Sequence, residues 1–177
     1  DHGSGRKIAF NFNTYNEEKQ LVPKKNSKGE DMVYVASPYH VILYNGKFYM
    51  IGNVDPFDNV SFYRVDLMTN ITDRTKRSPL NNGEFVPERR KPKRQIKGMP
   101  LEWTDETASK FQTEHMYMYY GKPCTIRLKI DKHKYTLLHD YFGNRYKFIG
   151  HVDDCRDEVE VVCVPKAMEA WAMQCSD

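Results

Sequence analysis

The sequence has no long apolar run. None approaches the roughly 20 residues that cross a bilayer as a helix, and no secretory signal pattern opens the chain. No membrane partner is therefore expected. Paired cysteine spacing is missing too: Cys124, Cys155, Cys163 and Cys175 form no Cys-x-x-Cys motif. They read as reduced thiols of a cytoplasmic protein, with a disulfide pair as the alternative. Catalytic signatures are absent: there is no G-x-S-x-G, H-E-x-x-H, P-loop or G-x-G-x-x-G. The densest metal-like cluster, His151, Asp153, Asp154 and Cys155, follows no zinc spacing. His139 reads as a hydrogen-bonded helix residue, and Cys124, after Pro123, has no recognisable base to activate it. No catalytic residue, metal or cofactor is expected. Charge of one sign is scarce: 27 Lys and Arg against 24 Asp and Glu leave +3. The whole molecule is not a generic polyanion binder, and any nucleic-acid role must come from a local patch. The first residues, Asp1-His2-Gly3-Ser4-Gly5, carry no initiator Met and suggest a segment cut from a longer chain.

What is present points to β-rich structure. The chain has 177 residues, 40% of them apolar, with twelve Tyr and nine Phe. That fits one domain or two small ones. The most informative stretch is residues 37–71, SPYHVILYNGKFYMIGNVDPFDNVSFYRVDLMTNI. Two apolar runs, 41–44 and 48–51, flank Asn45-Gly46, a pair suited to a type I′ hairpin turn. Asp55-Pro56-Phe57-Asp58-Asn59 breaks the pattern, and a third strand is expected over 62–68. There Tyr63, Val65 and Leu67 alternate with Arg64 and Asp66. Upstream, residues 7–13 read as a half-buried strand, 17–31 as an exposed hairpin arm and 32–36 as another strand. Five short antiparallel strands suit a small barrel.

Residues 72–98 are poor in apolar side chains, with a turn at Asn81-Asn82-Gly83 and a basic run, Arg89-Arg90-Lys91-Pro92-Lys93-Arg94, that Pro92 keeps from being helical. This reads as a linker or an excursion over the barrel surface, with a nucleic-acid-contacting arm as the alternative. A helix is expected over 103–120, capped by Thr104 or Asp105, with Ala108, Phe111, His115 and Met118 on one stripe and Gly121 ending it. Strand 124–130, helix 134–142, strands 146–152 and 159–164 and a helix opened by Pro165 follow. Strand–helix–strand–strand–helix is a ferredoxin-like unit without its last strand. The expected fold is thus α+β: a five-stranded barrel over 1–78, a basic linker over 79–102, and a helix with a truncated ferredoxin-like unit over 103–177.

The stretch 37–71 resembles the WYL domain of bacterial transcriptional regulators. Phe48-Tyr49-Met50 stands where that family has Trp-Tyr-Leu, Ser37-Pro38-Tyr39 matches its Ser-Pro-Tyr, and Tyr63-Arg64-Val65-Asp66-Leu67-Met68 resembles its Phe-Arg-Val-Asp-Arg-Met segment. Leu67 departs from the second family Arg. The resemblance implies an SH3-like barrel, a C-terminal extension in which a further strand normally follows, and an effector-sensing role. It also implies a winged helix-turn-helix N-terminal to this chain, through which alone duplex DNA would be contacted.

Candidate effector contacts are Ser37, Tyr39, His40, Tyr49, Tyr63, Arg64 and Asp66. Aromatic faces stack on bases and an Arg pairs with phosphate, so a nucleotide or a single-stranded nucleic acid is the expected effector. Tyr49 also reads as core, and Arg64 with Asp66 as a self-neutralising pair. Arg89, Arg90, Lys91, Lys93 and Arg94 form the candidate nucleic-acid arm. A homodimer is expected. The alternatives are a ligand-free oligomerisation module and a stand-alone single-strand binder acting through the basic arm.

Overall fold

The structure, a computed structural model, describes residues 5–78 and 83–175. The chain divides into two units, Asp1–Leu101 and Glu102–Asp177. The first holds β1 (Ile8–Tyr15), β2 (Leu21–Pro23), β3 (Val33–Tyr44), β4 (Lys47–Val54), β5 (Ser61–Arg64) and β6 (Met68–Asp73). They form one sheet in the order β2-β1-β3-β4-β5, with β6 also paired to β1. Because β6 follows β5 through a 3-10 turn at Val65–Leu67, the sheet curls into a half-barrel. Its interior is aromatic. Tyr63 packs edge-on against Phe10 and Phe12 at 5.3 and 4.9 Å, and Tyr34 closes the group at 5.5 Å from Tyr63. Each such pair adds ~0.5–1.5 kcal/mol beyond the area it buries. A short hairpin of β7 (Thr75–Arg77) and β8 (Phe85–Pro87) follows.

The Asn45-Gly46 hairpin forms as expected: Tyr44 pairs with Lys47, and the two turn residues have φ of 46° and 70°. Three readings of this unit change. The strands expected at 32–36 and 41–44 are one twelve-residue strand, β3, because a bulge carries it past Pro38. The strand expected over 62–68 is broken by the 3-10 turn, which lets the chain leave β4 and return to β1. The supposed solvent face of β1 is covered: Asn11 and Asn13 are buried and donate to the Met32 and Leu67 carbonyls. A buried amide is tolerated when so paired.

Asn81 and Asn82 of the expected turn lie outside the described residues. Residues 83–101, read as part of a linker or of an excursion over the barrel surface, belong to the first unit. Ile96 and Met99 are buried, as is Val60, and the Val60 N–H donates to the Lys97 carbonyl.

The second unit contains α1 (Asp105–Glu114), β9 (Cys124–Asp131), α2 (Tyr135–Phe142), β10 (Tyr146–His151), β11 (Arg156–Cys163) and α3 (Pro165–Cys175). Thr104 caps α1 in a capping box with Thr107. The helix stops well before Gly121, because Tyr117 and Met118 both take φ of 56°. The antiparallel sheet has the order β10-β11-β9. Leu138, Phe142, Val159, Val161, Ala167 and Trp171 form its core with the helices. Among the described residues no helix is long and apolar enough to cross a membrane.

Candidate ligand cleft

The site begins with a proline inside a strand. Pro38 has no N–H to give to a ladder, and a strand accommodates such a residue at a bulge. The register shows this: Pro38 opposes Gly52, His40 opposes Ile51, and Tyr39 between them has no partner on β4. Gly52 makes the close approach possible, since a Cβ there would lie 2.7 Å from the Ser37 carbonyl oxygen. The bulge frees the Tyr39 side chain from the pleat and turns it to the basic segment.

That segment is held by the barrel. The Lys91 N–H donates to the buried Ser37 hydroxyl at 2.9 Å, and Arg90 donates through Nη1 to the Pro38 carbonyl at 3.1 Å. Upstream, Lys7 Nζ donates to Asp55 at 2.6 Å and to Glu88 at 2.9 Å. Burial opposes the Lys7 charge, but the two carboxylate bonds outweigh it and hold its pKa raised. An Arg6–Arg89 bridge and the Arg90 N–H to Gly5 carbonyl bond, 3.0 Å, complete the attachment.

Tyr39, Arg90, Lys91, Pro92, Lys93, Arg94 and Leu101 line a cleft of about 350 Å³. Arg90 Cζ stands 4.6 Å from the Tyr39 ring centroid and Lys93 Nζ 5.8 Å from it. The Tyr39 hydroxyl is buried without a partner among the described residues, and burial raises its pKa. Four cations and no carboxylate line the space, although Lys91 also reaches Asp58 at 3.4 Å. Lys93 feels the excess: burial and then the Arg90 charge depress its pKa. The same field reaches His40, whose pKa falls to about 4, through burial first and Lys93 second. His40 is therefore neutral at physiological pH. The volume suits a small ligand, and the four cations favour an anionic one.

The expected site residues separate. Ser37 is fully buried and anchors the basic segment. Tyr39 joins Arg90, Lys91, Lys93 and Arg94 in the cleft lining, His40 next to it feels the Lys93 charge but is not part of that lining, and Arg89 stays exposed at the bridge to Arg6. Tyr63 is interior, and burial and then Tyr34 push its phenol up to about 12. Tyr49 and Arg64 are register partners on β4 and β5. Arg64 makes two hydrogen bonds to Asp66, at 3.1 and 2.7 Å, which raise the Arg64 pKa and lower that of Asp66. Register puts Arg64 on the same sheet face as His40, two strands away and two residues out of step.

One cleft residue escaped the sequence reading: Leu101 lines the cleft. Ile96 and Met99, isolated apolar residues in a polar stretch, were the available signal for packing. Comparison with known proteins finds no matching family model. No curated protein matches the sequence either.

Proposed function

We propose that the first unit senses an anionic effector bearing a ring, a nucleotide or a short single-stranded nucleic acid, in the cleft between Tyr39 and residues 90–94. The carrying observation is the Tyr39 ring with two cations against it, in a space lined by four cations and no carboxylate. Cations around an aromatic face suit phosphate pairing beside base stacking. On this reading Tyr39 of the expected barrel site and the basic arm act together, and Tyr49, Arg64 and Asp66 take no part.

On this reading the chain is the effector-sensing and dimerisation region of a bacterial transcriptional regulator of the WYL type. Its half-barrel is SH3-like, closed by the 3-10 turn between β5 and β6. The second unit is ferredoxin-like without an outer strand, as the order β10-β11-β9 suggests. Effector binding alters how two subunits are arranged, and so the spacing of winged helix-turn-helix heads outside this chain. The hairpin tip supports self-association, since Val41, Leu43 and Phe48 are all exposed there. The same tip favours the second reading, an oligomerisation module without ligand.

The test is a titration of labelled oligothymidylate and of nucleoside monophosphates at two salt concentrations. Arg94→Ala should weaken binding roughly ten- to hundredfold, the loss of ~1.5–3 kcal/mol for one charge-assisted hydrogen bond. It should also lower the salt slope by about 0.7 for a single strand. Retained affinity in Arg94→Ala with loss in Arg64→Ala would move the ligand to the β5 face.

A further inference from the structure

The four cysteines fall at two opposite ends of the second unit's sheet. Cys124, the first residue of β9, and Cys163, the last of β11, are register partners. Cys155 comes just before β11, at the other end of that strand. An extended strand rises about 3.3 Å per residue, which puts it on the order of 25 Å from Cys163. Cys175 closes α3, and its carbonyl accepts from Lys134 Nζ at 2.9 Å, beyond the far end of β9.

Directly opposed residues of an antiparallel pair send their side chains to one face. Here it is the helix-covered face: Val159 and Val161 alternate with Cys163 into the core, and their partners Leu128 and Ile126 alternate with Cys124 and pack against it. Opposed Cα atoms stand roughly 4.5–5.5 Å apart, inside the roughly 4.4–6.8 Å that a disulfide spans. Opposed Cβ atoms, ~4.5–5.5 Å apart, need to close by about 1 Å. The pair is the terminal rung of the ladder, so that shift disturbs no rung beyond it. Cys163 is fully buried, and burial, then the Cys124 and Glu114 charges, push its thiol up to about 11. Cys124 is exposed, so an oxidant meets it first.

We propose that Cys124 and Cys163 are an oxidation site, closing to a reversible intramolecular disulfide when the protein meets a hydroperoxide. The Cys124 sulfur attacks the terminal oxygen of the hydroperoxide, the O–O bond breaks, and the leaving oxygen takes the Cys124 proton. This leaves a sulfenic acid on Cys124. The Cys163 sulfur then attacks the Cys124 sulfur: the S–S bond forms, the S–O bond breaks, and the departing hydroxyl leaves as water with the Cys163 proton. Two thiols lose two electrons, and the hydroperoxide gains them. A thiol reductant reverses the bond by exchange. The bond fastens the start of β9 to the β11–α3 junction, where the Val164 N–H already donates to the Glu114 carbonyl at 2.8 Å.

The full chain is treated with hydrogen peroxide in small excess, digested without reductant and analysed by mass spectrometry. It should lose the mass of two hydrogens, yield one cross-linked peptide pair carrying Cys124 and Cys163, and return to the starting mass in dithiothreitol. The rate should not depend on protein concentration, because both sulfurs belong to one chain. The double variant Cys155→Ser, Cys175→Ser should behave like the parent. Cys124→Ser changes an exposed residue, so it should fold, which circular dichroism checks, and should keep Cys163 reduced. Four results would overturn the proposal: no loss of thiols at millimolar peroxide, a Cys124 sulfenic or sulfinic acid that persists with Cys163 reduced, a bridge containing Cys155 or Cys175, or a disulfide dimer through Cys124.

Discussion

The Arg90 guanidinium stands 4.6 Å from the centroid of the Tyr39 ring and donates to the carbonyl of Pro38, the residue before that ring. One side chain thus fastens the basic segment to the bulge and also charges the cleft. A partly desolvated cation over an aromatic face contributes ~0.5–2 kcal/mol. A double-mutant cycle with Tyr39→Leu and Arg90→Met, followed by urea unfolding, should return a coupling energy in that range. Additive effects would mean that the contact contributes nothing to holding the segment.

Ser37→Ala should release the segment. It removes the acceptor of the Lys91 N–H and leaves that donor without its bond, at a cost of ~1–3 kcal/mol. Tryptic cleavage after Arg89 and Arg90 should be slow in the parent and several-fold faster in Ser37→Ala. Equally fast cleavage in both would describe a free linker.

Gly52→Ala tests the bulge from the other side. The new Cβ would meet the Ser37 carbonyl oxygen, a backbone atom, at 2.7 Å. Overpacking of this kind costs ~1–3 kcal/mol. Thermal unfolding should show the loss, with weakened nucleotide binding because Tyr39 moves with β3. An unchanged melting temperature would mean that the approach of β4 to the bulge carries no constraint.

Much of the fold was legible. Asn45-Gly46 fixed one hairpin, Thr104 one helix start, and Leu138 with Phe142 the buried face of α2. These are local signals, complete within a few residues. The broken third strand and the unbroken β3 were not legible, because a bulge and a 3-10 turn serve tertiary pairing, and propensity does not encode that pairing. Pro38 was visible in the sequence, but its meaning depended on a partner strand that had to bend there. The cleft was half legible. Tyr39, Arg90, Lys91, Lys93 and Arg94 were all candidates, yet some fifty residues separate Tyr39 from the others, and tertiary bonds such as Ser37–Lys91 and Arg90–Pro38 bring them together.

Acid should destabilise the protein through His40. Its pKa is about 4 in the fold against an ordinary value of 6.5, so between those values the unfolded chain binds more protons than the folded one. Stability then rises with pH across that window, is lost as pH falls from 6.5 through 4, and is insensitive to His40 above 6.5. His115, buried and likewise depressed, acts in the same direction. Denaturant unfolding of His40→Asn should show a shallower slope between pH 4 and 6.5 than the parent. An identical slope would mean that His40 titrates like an exposed histidine.

The most direct measurement is an amide chemical-shift map of the isotopically labelled protein titrated with a short oligothymidylate. The account predicts that the largest changes fall on Tyr39, His40, Arg90, Lys93, Arg94 and Leu101, saturate together, and disappear in Arg94→Ala. Changes centred on Tyr49, Arg64 and Asp66, with the cleft residues unmoved, would contradict it.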